Sequence, residues 1–210
     1  MSKTKISTRE AILLKTRELF NSKGAASAGV REIAAAVGIR PGNLTYYFPS
    51  KEDLVRAIVR EEQDRIDGTL GAVEFTTITA FLAHLEETFL ARSAYRGIAV
   101  SLPDILLNHP SLRRDVRKLL RKRLKAHQNA LADLVRHGQL EGRSSTRIAR
   151  LAQQIAFMER HWMADAVMIN EAAKAERTIP TYVSLIAEIL RPHASKSGRK
   201  VLKRYAKDVM

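Results

Sequence analysis

The sequence predicts an all-α protein with a small N-terminal helix-turn-helix domain followed by a larger helical domain. From residue 77 onward apolar residues recur at helical spacing, without the alternation typical of strands. Residues 30–51 contain two short helical patterns joined by a tight turn. A chain of 210 residues is long enough for one small domain and a second with a sizeable core.

The first helix should run from Thr8 to Lys23. Ser7 and Glu10 have the spacing of a capping box at its start, and Gly24 follows its end. Its apolar residues should form the core of the small domain: Ile12, Leu13, Leu19 and Phe20.

The third helix carries the strongest functional signal. The helix before it begins at residue 30 and ends at Gly38, which readily takes the left-handed conformation that stops a helix. Pro41 suits the first position of a new helix, which stops at Phe48 because Pro49 follows. Leu44 and Phe48 lie four residues apart and can anchor this helix to the core. A short anchored helix with small, hydrogen-bonding exposed residues is typical of DNA recognition.

The residue types predict specific contacts with double-stranded DNA. Gly42 lets the backbone approach the groove, Asn43 can bond an adenine edge, and Thr45 can offer its hydroxyl or methyl group to a base. Arg31, in the first turn of the preceding helix, is the candidate for a guanine contact. Tyrosine and lysine side chains suit phosphate oxygens. The predicted DNA surface is Arg31, Arg40, Gly42, Asn43, Thr45, Tyr46, Tyr47 and Lys51.

Residues 12–54 resemble the DNA-binding domain of the tetracycline-repressor-like (TetR) family of bacterial regulators. The residues that carry the resemblance are Ile12, Leu13, Leu19, Phe20, Gly24, Ile33, Ala34, Gly38, Gly42, Leu44, Tyr46, Phe48, Lys51 and Leu54. Gly29 and Arg40 stand where the family often has a hydroxyl residue. The resemblance implies a homodimer that binds an operator, represses transcription and is usually released by a small ligand.

Net charge is +14 and is concentrated in three segments. Residues 1–50 hold 8 basic and 3 acidic side chains, residues 91–125 hold 10 and 2, and residues 191–210 hold 7 and 1. Such segments suit a polyanion such as DNA, whereas solubility is the simpler explanation of charge alone.

Several classes of function are disfavoured by what the sequence does not contain. Cysteine is absent, which excludes disulfides and thiolate metal sites. The six histidines are scattered, and no GxSxG, Gly-rich phosphate loop or HExxH spacing occurs. No signal peptide or membrane-length apolar run is found. We therefore expect a cytoplasmic protein that is not an enzyme and has no metal, cofactor or membrane partner.

The remaining elements are predicted from apolar periodicity and from caps. Ser50 and Asp53 open a helix over 51–67 that links the two domains. Further helices are predicted over 77–94, 97–107 with an interruption at Pro103, 111–137, 144–170 and 180–191. The domains are therefore expected at 1–50 (DNA binding) and 51–191 (ligand binding and dimerisation), followed by a basic tail, 192–210. Solvated disorder is favoured for the tail over a surface helix or an extra DNA contact.

The helix over 144–170 predicts a homodimer. Two apolar stripes cover about half of its surface, too much for one core contact, so one side should meet the core and the other a partner subunit. With the helix over 180–191 it would form a four-helix interface. The second stripe consists of Ala149, Ala152, Ala156, Met163 and Val167.

A small-molecule effector of unknown identity is expected to bind in the second domain. Glu159 falls inside the apolar arc of its helix, where a carboxylate needs a partner, and an ion pair with an arginine is favoured over a ligand contact. Residues at the edges of apolar faces could line a pocket. The candidates are His84, Asn108, Glu159, His161, Trp162 and Asp165.

The favoured function is a ligand-responsive homodimeric repressor that binds a palindromic operator through the helix 41–48. The alternative is a DNA-organising protein of the same fold without an effector. The helix over 111–137 has one basic face that could be either a solvated surface or a site for an acidic partner. This face consists of Arg114, Arg117, Lys118, Arg121 and Lys125.

Overall fold

The computed structural model describes residues 6–70, 73–142, 144–170 and 172–209. These residues form α1 (Thr8–Lys23), α2 (Val30–Val37), α3 (Pro41–Tyr47), α4 (Lys51–Leu70), α5 (Ile78–Ser93), α6 (Arg96–Asn108), α7 (Pro110–Arg136), α8 (Ser145–Ile169), α9 (Ile179–Leu190) and α10 (Lys196–Val209). Two 3-10 helices span Ala172–Thr178 and Arg191–His193. The predicted all-α fold class is confirmed. Within the described ranges no α-helix has the length and apolarity that a bilayer crossing needs.

The N-terminus of α1 has the predicted capping box. The backbone N–H of Ser7 donates to the carboxylate of Glu10 at 2.7 Å, and the backbone N–H of Glu10 donates to the Ser7 hydroxyl at 3.2 Å. Gly24 ends the helix with a φ of 84°, a conformation that favours glycine. Both ends of α1 therefore follow from local sequence.

The helices form two compact units. Unit 1 contains the chain through Arg65 together with Ala94–Asp115, and unit 2 contains Ile66–Ser93 and the chain from Val116 onward. The division therefore falls inside α4 and inside α7, because each helix contributes residues to both units.

The core of unit 1 explains why it extends past residue 50. Leu54, Val55 and Ile58 of α4 are buried in the same cluster as Leu44 and Phe48. The cluster is completed by Tyr95, Ile98 and Ile105 at α6 and by Leu112 of α7. Residues 51–65, which sequence analysis grouped with the second domain, thus share a core with the helix-turn-helix.

Helices α1 and α6 approach each other closely at Gly97. A β-carbon at this position would lie 2.0 Å from the backbone oxygen of Phe20, far inside van der Waals contact. The Asn21 amide bridges the two helices, donating to the oxygen of Ala94 at 2.8 Å and accepting from the N–H of Gly97 at 2.9 Å. Only glycine fits this crossing.

Helix α6 continues through Pro103, where the sequence predicted an interruption. Proline removes one helical hydrogen bond and normally kinks or breaks a helix. Here Ile98 on one side and Ile105 on the other are both buried in unit 1, which holds the two halves in one helix. Tertiary packing therefore overrides the local preference.

The basic tail is ordered as α10, so the expectation of solvated disorder was wrong. Leu202 is buried, and the backbone of Gly198 lies so close to Gln139 that a β-carbon would meet its oxygen at 2.1 Å. The hydroxyl of Ser195 accepts from the N–H of Gly198 at 3.0 Å and donates to the oxygen of Gly138 at 2.6 Å. The packing of the tail depends on only two residues, Leu202 and Gly198. The many charged residues around them led the sequence pattern to favour disorder instead.

We expect Gly97→Ala to destabilise the protein by roughly 1–3 kcal/mol or more, because the new methyl group meets rigid backbone and the helices must separate. Gly42→Ala is the matched control. It is also the second residue of a helix, but its β-carbon would enter open space. That change should alter the free energy of unfolding by about 0–1 kcal/mol, in the stabilising direction. Thermal unfolding at one protein concentration measures both, and equal effects would refute the packing argument.

Candidate nucleic-acid interface

The turn between α2 and α3 is built from backbone conformation. Gly38 takes the left-handed conformation, with φ 78° and ψ 30°, and the N–H of Ile39 donates to the oxygen of Ala34 at 3.0 Å. Arg40 is extended, and Pro41 begins α3. Neither Gly29 nor Arg40 caps its helix with a side chain. The turn thus depends on Gly38 and Pro41.

Two buried side chains hold α3 in place. Leu44 and Phe48 lie in the core of unit 1, one helical turn apart. The guanidinium of Arg9 lies 5.3 Å from the centre of the Phe48 ring, a cation–π geometry that sequence analysis did not anticipate. Because a helix of seven residues is too short to be stable alone, this anchoring fixes its position.

The outer surface of α3 is open to solvent. Tyr46 is 82% exposed and Tyr47 40% exposed, and their rings meet edge to face at 5.3 Å. The Thr45 hydroxyl donates to the oxygen of Gly42 at 3.0 Å. Seven of the eight predicted DNA contacts are exposed: Arg31, Arg40, Gly42, Asn43, Thr45, Tyr46 and Tyr47.

Lys51 differs from the other predicted contacts because it is partly buried. Its ammonium donates to the oxygen of Ala26 at 2.8 Å, which ties the loop before α2 to the start of α4. Burial lowers the pKa of Lys51. An ammonium has three donors, so this bond leaves two for a phosphate oxygen.

Unit 2 contains a buried charge cluster centred on Glu159. Arg92 donates to its carboxylate and to its backbone oxygen, both at 2.9 Å, and the His127 ring nitrogen lies 2.5 Å from the other carboxylate oxygen. Burial alone would raise the pKa of Glu159, but His127 and Arg92 outweigh it and hold the pKa well below its usual range. The favoured ion pair with an arginine is present.

His84 is a second titratable group in unit 2. Its ring meets the edge of Phe75 at 4.8 Å, and burial, followed by the charge of His127, lowers the pKa of His84. A neutral imidazole can donate one hydrogen bond and accept another.

The other effector candidates lie in different surroundings. Trp162 is buried and stacks on Phe89, with ring centres 5.1 Å apart. Asp165 accepts from the Tyr182 hydroxyl at 2.6 Å, whereas His161 is exposed. Asn108 belongs to unit 1 and donates to the backbone oxygen of Asp104 at 3.0 Å. The six candidates are therefore not one cluster, and their role in binding stays a prediction.

The second apolar stripe of α8 was predicted as a candidate surface for a partner subunit, but three of its five residues are not accessible to one. Ala152, Ala156 and Met163 are buried within the single chain. The exposed large apolar side chains of α8 are instead Phe157, at 60%, Met168, at 78%, and Ile169, at 71%. The signal was present in the sequence as a third arc at helical spacing, formed by Phe157, His161, Ala164 and Met168.

An exposed helix anchored in a helix-turn-helix, in a chain that also contains a larger helical unit, defines a class of DNA-binding regulators. Residues 12–58 match the model of the tetR family of bacterial regulatory proteins, and residues 59–202 match a model described as a bacterial transcriptional repressor. The chain belongs to the tetR family of bacterial transcriptional regulators.

Curated relatives match over short stretches of the chain. The chain is 41% identical over 58 residues to the transcriptional regulator UidR of Escherichia coli (strain K12), covering 28% of this chain and 30% of UidR. It is 32% identical over 85 residues to the transcriptional repressor KstR2 of Mycolicibacterium smegmatis, covering 40% and 41%. The matches thus span less than half the length of these relatives.

Solved structures share the whole fold at low sequence identity. A TetR-family regulator from Marinobacter aquaeolei VT8 has a TM-score of 0.85 and 24% identity, covering 97% of this chain and 99% of its own. The structure of SmeT in complex with triclosan has a TM-score of 0.66 and 19% identity, covering 91% and 93%. These likenesses concern the fold.

We expect Glu159→Gln to destabilise the protein by about 3–5 kcal/mol, because Arg92 and His127 would remain buried without an opposing charge. Because the folded-state pKa of Glu159 lies below its usual 4.5, its contribution to stability is present above that pH and is lost as the pH falls. The unfolding temperature of the parent should therefore drop more between pH 6 and pH 3 than that of the variant.

Asp165→Asn is the control for this prediction, since Asp165 is an exposed carboxylate on the same helix, and an asparagine oxygen can still accept the hydrogen bond from Tyr182. Its loss should cost about 1 kcal/mol or less. Parallel pH curves for the parent and Glu159→Gln would show that the cluster does not stabilise the fold through charge.

Proposed function

We propose that the protein is a homodimeric, ligand-responsive repressor that binds a palindromic operator in the bacterial cytoplasm. Two copies of α3 would enter successive major grooves, roughly 34–36 Å apart. The observation that carries this proposal is the contrast within α3. Leu44 and Phe48 are buried, whereas Asn43, Thr45 and Tyr46 are exposed.

The exposed residues support two kinds of contact with DNA, one to base edges and one to phosphate oxygens. Arg31 and Asn43 have the bidentate geometry that distinguishes guanine and adenine edges. Tyr46, Tyr47 and the two remaining donors of Lys51 suit phosphate oxygens, which fix the register of the protein without reading sequence. Affinity for DNA should accordingly depend on both the base contacts and the phosphate contacts, whereas sequence specificity should depend chiefly on the base contacts.

An effector bound in unit 2 is the second part of the proposal. The triclosan complex of SmeT and a gamma-butyrolactone receptor have the same fold, which supports a small molecule of this general size for unit 2. His84 is the leading polar candidate, because it is half-buried and packed on an aromatic ring. Coupling between effector and operator is typically worth about 1–3 kcal/mol.

Dimerisation is proposed through the exposed apolar arc of α8 and the neighbouring helix α9. Phe157, Met168 and, on α9, Leu185 are exposed in the single chain. Helices α8 and α9 also pack against each other within unit 2, so a second copy related by a two-fold axis would complete a four-helix arrangement.

A selection of genome fragments by the purified protein at about 150 mM salt tests the regulatory function, because non-specific phosphate attraction is much reduced there. We expect one shared palindrome. Arg31→Ala and Asn43→Ala should each weaken binding to it by about 1–3 kcal/mol and relax its sequence requirement. Fragments without a shared site would instead support the DNA-organising alternative.

Arg60→Ala is the control for these variants. Arg60 is an exposed arginine of unit 1 on α4, so its loss removes the same charge away from α3. It should leave sequence preference unchanged. If Arg31→Ala and Asn43→Ala also bind with unchanged affinity and selectivity, the assignment of base contacts is wrong.

We expect Phe157→Glu to convert the dimer into monomers, because a carboxylate would be buried without a partner at the interface. Leu90→Glu is the matched control, since Leu90 is an equally exposed apolar residue of unit 2, at 56% against 60%. Sedimentation velocity measures the oligomeric state. A dimer that survives Phe157→Glu would place the interface elsewhere.

A further inference from the structure

Helix α7 carries a row of exposed cations in unit 2. We call Arg117, Lys118, Arg121 and Lys125 the basic stripe, and all four are exposed. At 100° per residue they fall within about a 100° arc of the helix surface. Lys122, beside them, pairs with Asp67 at 2.6 Å. Among the described residues, no carboxylate lies within ion-pair distance of the stripe.

The like charges of the basic stripe destabilise helix α7. Arg121 is four residues from both Arg117 and Lys125 and three from Lys118, and like charges at these spacings destabilise a helix. Residues 116–132 contain no acidic side chain. In α4, by contrast, basic and acidic side chains are interspersed, and Arg56 bonds to Glu52 at 2.8 Å and to Asp53 at 3.1 Å. An anionic partner would relieve the repulsion in the stripe.

The surroundings of the stripe distinguish between anionic partners. Protein interfaces use apolar or aromatic anchors, and membrane-surface helices bury an apolar face. Residues 110–136 are all described, and none of the large apolar side chains among them is exposed. A phosphate backbone requires only cations and hydrogen-bond donors.

We propose that the basic stripe binds the phosphate backbone of duplex DNA, as a contact separate from α3. The inference rests on the proposed function in that DNA is already the ligand of this protein. The stripe adds affinity for DNA of any sequence, because phosphate contacts carry no sequence information. Its contribution should therefore be strongly salt-dependent.

The first experiment compares the binding of a random-sequence 40-bp duplex at several salt concentrations. For Arg117→Gln/Lys118→Gln/Arg121→Gln, we expect weaker binding and a slope of log affinity against log salt that is shallower by about 2.7, or about 0.9 for each phosphate contact. The control, Lys196→Gln/Lys200→Gln/Lys203→Gln, removes the same charge from exposed positions of α10. It should leave the slope unchanged.

The melting temperature of the stripe variant is a second readout. If the stripe only stabilised the fold, the three substitutions would lower this temperature. Glutamine has nearly the helix propensity of lysine and arginine, and the substitution removes like-charge repulsion. We therefore expect the stripe variant to melt no lower than the parent while it binds DNA less tightly. Equal slopes for parent and stripe variant, or equal losses in both triple variants, would overturn the proposal.

Chemical protection locates the contact on the unmodified protein. Lys118 and Lys125 should become less reactive toward an acetylating reagent when the 40-bp duplex is added, whereas Lys200 and Lys203 should not. Unchanged reactivity of Lys118 and Lys125 would also overturn the proposal. Failure of the stripe proposal can be distinguished from failure of the proposed function. The genome-fragment selection depends on α3, so it should recover the same palindrome with the stripe variant as with the parent.

Discussion

Burial of Leu44 and Phe48 is the constraint on which DNA recognition by this protein depends. A seven-residue helix gains too few hydrogen bonds to offset the cost of ordering its backbone, so α3 exists only because these two side chains join a core. That core draws on α1, α4 and α6. The precision with which Asn43, the proposed base contact, is held is thus a property of the whole of unit 1.

Unit 2 is organised around a different kind of constraint. The Glu159 carboxylate has been removed from water, and the geometry of Arg92 and His127 must satisfy both of its oxygens. Such a cluster adds little net stability compared with apolar packing, but it penalises any arrangement of α5, α7 and α8 that separates the charges. We infer that it favours one packing of these helices over others.

Sequence patterns predicted the elements that depend on local chemistry. The Ser7 box, Gly38 and Pro41 act within a few residues, so the sequence revealed α1 to α3 almost to the residue. The features that local sequence patterns did not predict depend on contacts between residues far apart in the chain. Pro103 does not break α6 because Ile98 and Ile105 are both buried, and the tail is helical because Gly198 fits against Gln139. The stripes of α8 were recognised as apolar, but periodicity alone does not tell which arc faces its own chain. The identity of the arginine that meets Glu159 was hidden for the same reason, since 67 residues separate the pair.

The close crossing at Gly97 has a consequence for how the protein is made. The core of unit 1 joins Ile12 and Phe20 to Tyr95 and Leu112, so it closes only after more than half of the chain has left the ribosome. Until then α1 presents an unpaired apolar face for some 80 residues of synthesis. The DNA-reading unit is therefore a discontinuous domain, and a fragment ending at Arg65 would lack one side of its own core.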